Sequence, residues 1–118
     1  MAGGTAGARV LCTALCLALL VSCGRGRDRE VPLDSLTAED IYRRAEASLE
    51  SSPRPDEAIR LFSEVERLYP YTEWAKRSLI MQAFAQHKAR NYEDARGSAQ
   101  RFLDLYPGDE DAAYAQYL

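Results

Sequence analysis

Beyond residue 36 the apolar residues of this chain recur at helical spacing, in four successive stripes. Ile41, Ala45 and Leu49 stand at i, i+4 and i+8. Ala58, Ile59, Phe62, Val65 and Leu68 with Tyr69 form a second set, and Leu79, Ile80, Ala83 and Phe84 a third. Ala95, Ala99, Phe102, Leu103 and Tyr106 form the fourth. Steps of three and four put each set on one face of a helix. Turn-formers separate them: Ser51-Ser52-Pro53-Arg54-Pro55, then Pro70, then Asn91, then Pro107-Gly108. Thr37 followed by Asp40 predicts a capping box, and Asn91 followed by Asp94 predicts a second. Pro55 suits a first helical turn, where its missing N–H costs nothing. The third helix is expected over about 73–90, and a fifth begins within 109–118. Period-two alternation of β-branched residues is missing from the pattern. The fold class is therefore all-α, four and a half antiparallel helices.

The start of the chain has a different texture. A free amino terminus and Arg9 precede an uncharged run, residues 10–21. This is a charged leader followed by an apolar stretch too short to span a hydrocarbon core as a helix. Leu20-Val21-Ser22-Cys23 closes the run, and these four residues resemble the bacterial lipobox. The resemblance implies cleavage before Cys23, a diacylglycerol thioether on its sulfur, and an acyl chain such as palmitate on the new amino group. One acyl chain holds only marginally at roughly 0.8 kcal/mol per buried CH₂, so three make the anchor durable. The other reading is an ordinary signal peptide with a cysteine near its end. Residues 24–36 are charged, contain Gly and Pro, and have no period, which reads as a solvated tether. The expected organisation is a signal peptide over 1–22, lipid anchor and flexible linker over 23–36, and a repeat domain over 37–118.

The second and fourth stripes align without a gap. Glu57-Ala58 matches Asp94-Ala95, and Leu68-Tyr69-Pro70 matches Leu105-Tyr106-Pro107. A fixed offset of this size marks a helical solenoid. A small residue, an aromatic four on and a proline twelve on resemble the tetratricopeptide repeat. Ala58, Phe62 and Pro70 fit it in the first unit, over 37–70; Ala95 and Pro107 fit it in the second, over about 76–107. Ala99 departs from it where an aromatic is usual, and the turn 51–55 lacks the common Gly. Adding Glu39-Asp40-Ile41-Tyr42, Tyr69-Pro70-Tyr71-Thr72-Glu73-Trp74-Ala75-Lys76, Asn91-Tyr92-Glu93-Asp94-Ala95 and Ala112-Ala113-Tyr114-Ala115-Gln116-Tyr117-Leu118, the whole chain resembles the BamD (YfiO/ComL) family. Those are tetratricopeptide lipoproteins of the outer-membrane β-barrel assembly machinery. The resemblance implies five repeats, so this chain reads as an amino-terminal piece with two full repeats and a truncated third.

Charge and chemistry narrow the function. The formal net charge is −3 with 18 acids, and all the acids lie beyond residue 22. A nucleic-acid partner would need a basic footprint and is not expected. Of the 3 cysteines, Cys12 and Cys16 leave with the leader, so neither a disulfide nor a cysteine zinc site can form in the remainder. His87, the only histidine, has no ligand partner at metal spacing. Glu64 and Glu66 stand two apart on a helix and so point to different faces. Asp109, Glu110 and Asp111 read as acids at a helix start. Nucleophile elbows and phosphate loops are missing; the chain is not expected to be an enzyme, nor to need a cofactor or metal.

A binding groove is the remaining chemistry. In tetratricopeptide repeats the first helix of each pair lines a concave surface. By that resemblance Tyr42 and Glu46 would face it from the first unit, and Arg77, Ile80, Phe84, His87 and Lys88 from the second. Cations beside aromatic surface suit a peptide that ends in an aromatic residue and a carboxylate. In the resembling family the amino-terminal repeats are implicated in receiving the carboxy-terminal signal of unfolded barrel proteins. The implied function is a scaffold, lipid-anchored to the periplasmic face of the outer membrane. Its implied partners are the other assembly subunits and unfolded outer-membrane β-barrel proteins. The alternative is another periplasmic tetratricopeptide adaptor, serving pilus assembly or a peptidoglycan enzyme. A periplasmic hydrolase would need a catalytic domain absent from these residues.

Overall fold

The computed structural model describes residues 31–118. The leader, Cys23 and the first part of the expected linker lie outside the described residues. Five α-helices follow in order: α1 (Ala38–Ser51), α2 (Asp56–Leu68), α3 (Glu73–Lys88), α4 (Tyr92–Leu105) and α5 (Ala112–Tyr117). A 3₁₀ turn over Leu33–Ser35 precedes them. The described residues contain no strand. Each helix packs on its neighbours in sequence, and α1 also touches α3. Helical hairpins stacked on nearest neighbours make a tetratricopeptide-like solenoid.

The elements follow from local chemistry. Thr37 is extended, and its hydroxyl accepts from the Asp40 N–H at 3.2 Å. The Asp40 carboxylate accepts from the Thr37 N–H at 3.4 Å and its hydroxyl at 2.7 Å. This is the expected capping box. Thr72 caps α3 in the same backbone conformation, accepting from the Ala75 N–H at 3.1 Å. The box expected at Asn91 does not form: its side chain makes no cap bond. The end of α3 explains why. The Arg90 N–H donates to the His87 carbonyl and the Asn91 N–H to the Gln86 carbonyl, each at 2.9 Å, which closes α3 in a Schellman motif. That commitment holds Asn91 at φ −83° and ψ 66°, away from the extended geometry an N-cap needs.

The 37-residue offset seen in sequence persists in the backbone. Tyr69 ends α2 at φ −130° and ψ 55°, and Tyr106 ends α4 at φ −132° and ψ 56°. Ala58 and Ala95 are both buried, as the close approach of paired helices requires. Two cores fill the stack. Ile41, Ala45, Leu61, Phe62 and Val65 centre the first, and Leu79, Ile80, Ala83, Ala99 and Phe102 the second. Met81 packs on both. α3 is thus sandwiched, and buries Ser78 and Gln86 as well as its apolar residues. The start of the domain also differs from the expected tether. Leu33 and Leu36 pack on the first core, and the Tyr69 hydroxyl donates to the Leu36 carbonyl. One leucine pair and a proline-initiated turn give that short segment enough apolar surface to fold back.

Candidate functional site

A column of rings leads from the first core to the surface on the side where α1, α3 and α5 meet. Phe62 is fully buried. Tyr42 contacts it edge-on, with ring centroids 5.5 Å apart, and Trp74 tilts against Tyr42 at 5.1 Å. The Arg77 guanidinium sits over Trp74 at 5.5 Å from the ring centroid, a cation–π contact. Glu73 lies 3.7 Å from its Nε. The column therefore fixes a cation beside an aromatic floor.

That cation borders a cleft of about 370 Å³ lined by Tyr42, Arg77, Ile80, Met81, Glu110, Asp111 and Tyr114. Its floor is apolar and aromatic, and its far rim is acidic. Burial pushes the Tyr42 hydroxyl up to about 12, helped by the neighbouring Glu46 carboxylate and by the charge of Asp111, against the pull of Arg77. It stays a protonated donor at physiological pH. Burial also raises Tyr114. The third-repeat wall is held in place by Lys76, whose Nζ donates to Asp109 at 2.7 Å and pairs with Glu73 at 2.9 Å. Asp109 in turn accepts from the Asp111 N–H at 3.0 Å.

The structure brings Tyr42, Arg77 and Ile80 together, with the Glu46 carboxylate near enough to act on the Tyr42 hydroxyl. Phe84, a turn further along α3, packs on the first core and is only partly buried. His87 is exposed, its ring edge-on to Tyr92 at 5.4 Å. Lys88 lies at the far end of α3, where its Nζ donates to the Leu49 carbonyl at 3.2 Å. Arg77 is thus the cation of the cleft lining. Sequence reasoning did not find Met81, Glu110, Asp111 or Tyr114 as wall residues. The acidic trio looked like helix-start acids, and only the 33-residue reach of Lys76 to Asp109 reveals the fold-back. Among the described residues, no three His, Cys, Asp or Glu converge on a metal-binding geometry, and no helix is long and apolar enough to cross a membrane.

Stacked helical hairpins with an aromatic-floored cleft on the face shared by the first helices define a tetratricopeptide-like scaffold. The sequence model of the YfiO outer-membrane lipoproteins matches residues 34–118. The chain belongs to that family. It is 48% identical over 63 residues to the outer membrane protein assembly factor BamD of Caulobacter vibrioides, covering 53% of this chain and 21% of the relative. It is 25% identical over 100 residues to BamD of Xylella fastidiosa, covering 85% of this chain and 34% of the relative. It is 29% identical over 112 residues to BamD of Neisseria gonorrhoeae, covering 92% and 41% respectively. The chain therefore spans less than half the length of each of these relatives. No solved structure matches it significantly.

Proposed function

We propose that the chain acts as a non-enzymatic scaffold of the outer-membrane β-barrel assembly machinery, aiding the folding and insertion of barrel proteins. Lipids on Cys23 hold it at the periplasmic face of the outer membrane, after removal of residues 1–22. The observation that carries this reading is the family match across the entire helical domain, joined to relatives named as assembly factors. The lipobox-like tetrad ahead of that domain supports the anchor. The cleft beside Tyr42, Ile80, Met81 and Tyr114 receives an extended segment of an unfolded barrel protein, with an aromatic side chain against its floor. Arg77 supplies the positive charge there, whereas Glu110 and Asp111 disfavour segments rich in acids.

A photo-crosslinking side chain in place of Tyr114, which is 39% exposed, tests this during synthesis of a barrel protein. Adducts to the unfolded barrel protein are expected from position 114. They are not expected from position 96 on α4, where Arg96 is 80% exposed. Equal adducts from both positions would remove the cleft from the reading. The membrane fraction of the same cells gives the anchor's test: the mature amino terminus should be an acylated Cys23, and Cys23→Ser should leave the precursor unprocessed. A mature terminus elsewhere without acyl mass contradicts the anchor.

A further inference from the structure

At the end of α3 opposite the cleft of Tyr42 and Arg77, a second cleft of about 390 Å³ carries the opposite charge. Pro53, Arg54, Pro55 and Asp56 wall it from the α1–α2 turn, and Lys88 and Arg90 from the end of α3. Three cations meet one carboxylate there, in a chain whose formal net charge is −3. Among the described residues, no carboxylate forms an ion pair with Arg54, Lys88 or Arg90. Most other arginines on the helices are paired locally, with Glu39, Glu57, Glu64 or Glu93. Lys88 and Arg90 are set at the rim by the end of α3. Lys88 is pinned by the Leu49 carbonyl. Arg90 occupies the left-handed C′ position of the Schellman motif at φ 65°, where glycine is the ordinary residue. An arginine there exchanges helix-end stability for a charge in the lining of the cleft. Pro53, exposed beside the buried Pro55, adds a rigid apolar shelf.

We propose that this turn edge is a second docking surface, which binds an acidic, extended segment of a partner protein. Charge complementarity selects the carboxylates, and the proline shelf takes the apolar atoms between them. The eleven residues from Arg77 to Lys88 correspond to about 16 Å of helix. The surface is therefore separate from the cleft proposed for barrel proteins, and both can be occupied at once.

The test uses the full chain in detergent micelles and a short synthetic peptide of alternating glutamate and alanine, with its glutamine counterpart as control. Binding is read by fluorescence anisotropy, and its location by amide chemical shifts. The glutamate peptide should bind and shift the amides of Arg54, Asp56 and residues 88–91, and the glutamine peptide should not. Added salt should weaken it steadily. Arg54→Gln with Arg90→Gly should weaken it about tenfold, the sum of two exposed charge pairs. Arg90→Gly should meanwhile hold or raise the melting temperature, because glycine fits that backbone position better. That combination separates a binding role from a structural one. Equal binding of the two peptides, shifts confined to the Tyr114 side, or unchanged affinity in the double variant would each overturn the proposal. Inorganic phosphate displacing the peptide at equal concentration would mark a phosphate site and overturn it as well. Loss of barrel-protein crosslinks at position 114 with this binding intact would count against the proposed function alone.

Discussion

Phe62 and Phe102 fill equivalent places in successive repeats without sharing a register position. In the 37-residue register Phe62 faces Ala99, and Val65 faces Phe102. The bulky ring has moved three residues along the same helix face, so each hairpin keeps one buried phenylalanine. This accounts for the departure from the repeat pattern at Ala99, which is itself buried. Both rings are fully buried. Phe→Ala at either position should cost about 3–5 kcal/mol, a large part of the stability of a small domain. Thermal melts of the two variants check this; unchanged midpoints would contradict the assigned faces. Burial departs from the sequence pattern at three residues: Leu61 is buried beside the predicted stripe of α2, and Ser78 and Gln86 are polar yet buried because α3 is packed on both sides.

At the scale of elements, the helices and their stops were legible because 3.6-residue periodicity and proline punctuation are local. All four full helices lie where the stripes put them. What was not legible was which caps would close, since that depends on how the preceding helix ends. Thr37 follows the extended Leu36 and caps α1, whereas Asn91 is already used in ending α3. Thr37→Ala should therefore cost about 1 kcal/mol, and Asn91→Ala less than about 0.5 kcal/mol. Chemical denaturation of the two variants measures the difference; equal losses would contradict the distinction. The candidate cleft was half legible for the same reason. Tyr42, Arg77 and Ile80 follow from helix faces, but Tyr114 and the acids of its rim depend on how the third repeat folds back. Lys88 shares α3 with Arg77 but stands at its other end, beyond the lining of that cleft.

Across the whole molecule, two ion pairs join successive repeats, and they respond oppositely to pH. Lys76 reaches Asp109 at 2.7 Å, and Arg101 reaches Glu66 at 2.7 Å. The Lys76 hydrogen bond, aided by the Asp111 N–H, holds the Asp109 carboxyl below its ordinary range. A carboxyl lowered on folding stabilises the folded state above its unfolded pKa, and that contribution is lost as pH falls through the folded value. The hydrogen bonds that Lys76 donates to Asp109 and then to Glu73 raise its pKa, and its contribution persists until pH rises through that raised value. Burial, by contrast, raises Glu66 against the opposing pull of Arg101. Ionised Glu66 therefore weakens the fold, and stability is recovered as pH falls through its raised value. Asp109→Asn should lower the melting temperature at pH 7, with the difference vanishing in strong acid. Glu66→Gln should leave it unchanged or raise it, within about 1 kcal/mol. Melts of both variants across pH distinguish the pairs; equal losses at neutral pH would contradict the assignment.

The scaffold role itself is tested most directly by depleting the protein from the bacterium that carries it. The quantity to measure is folded barrel protein in the outer membrane, read from heat-modifiable electrophoretic mobility. Folded barrel proteins should decline together while inner-membrane proteins hold steady. Wild-type protein should restore them, and the Cys23→Ser variant should restore them poorly. Undiminished barrel proteins, with a defect confined to pili or to peptidoglycan, would contradict the assembly role.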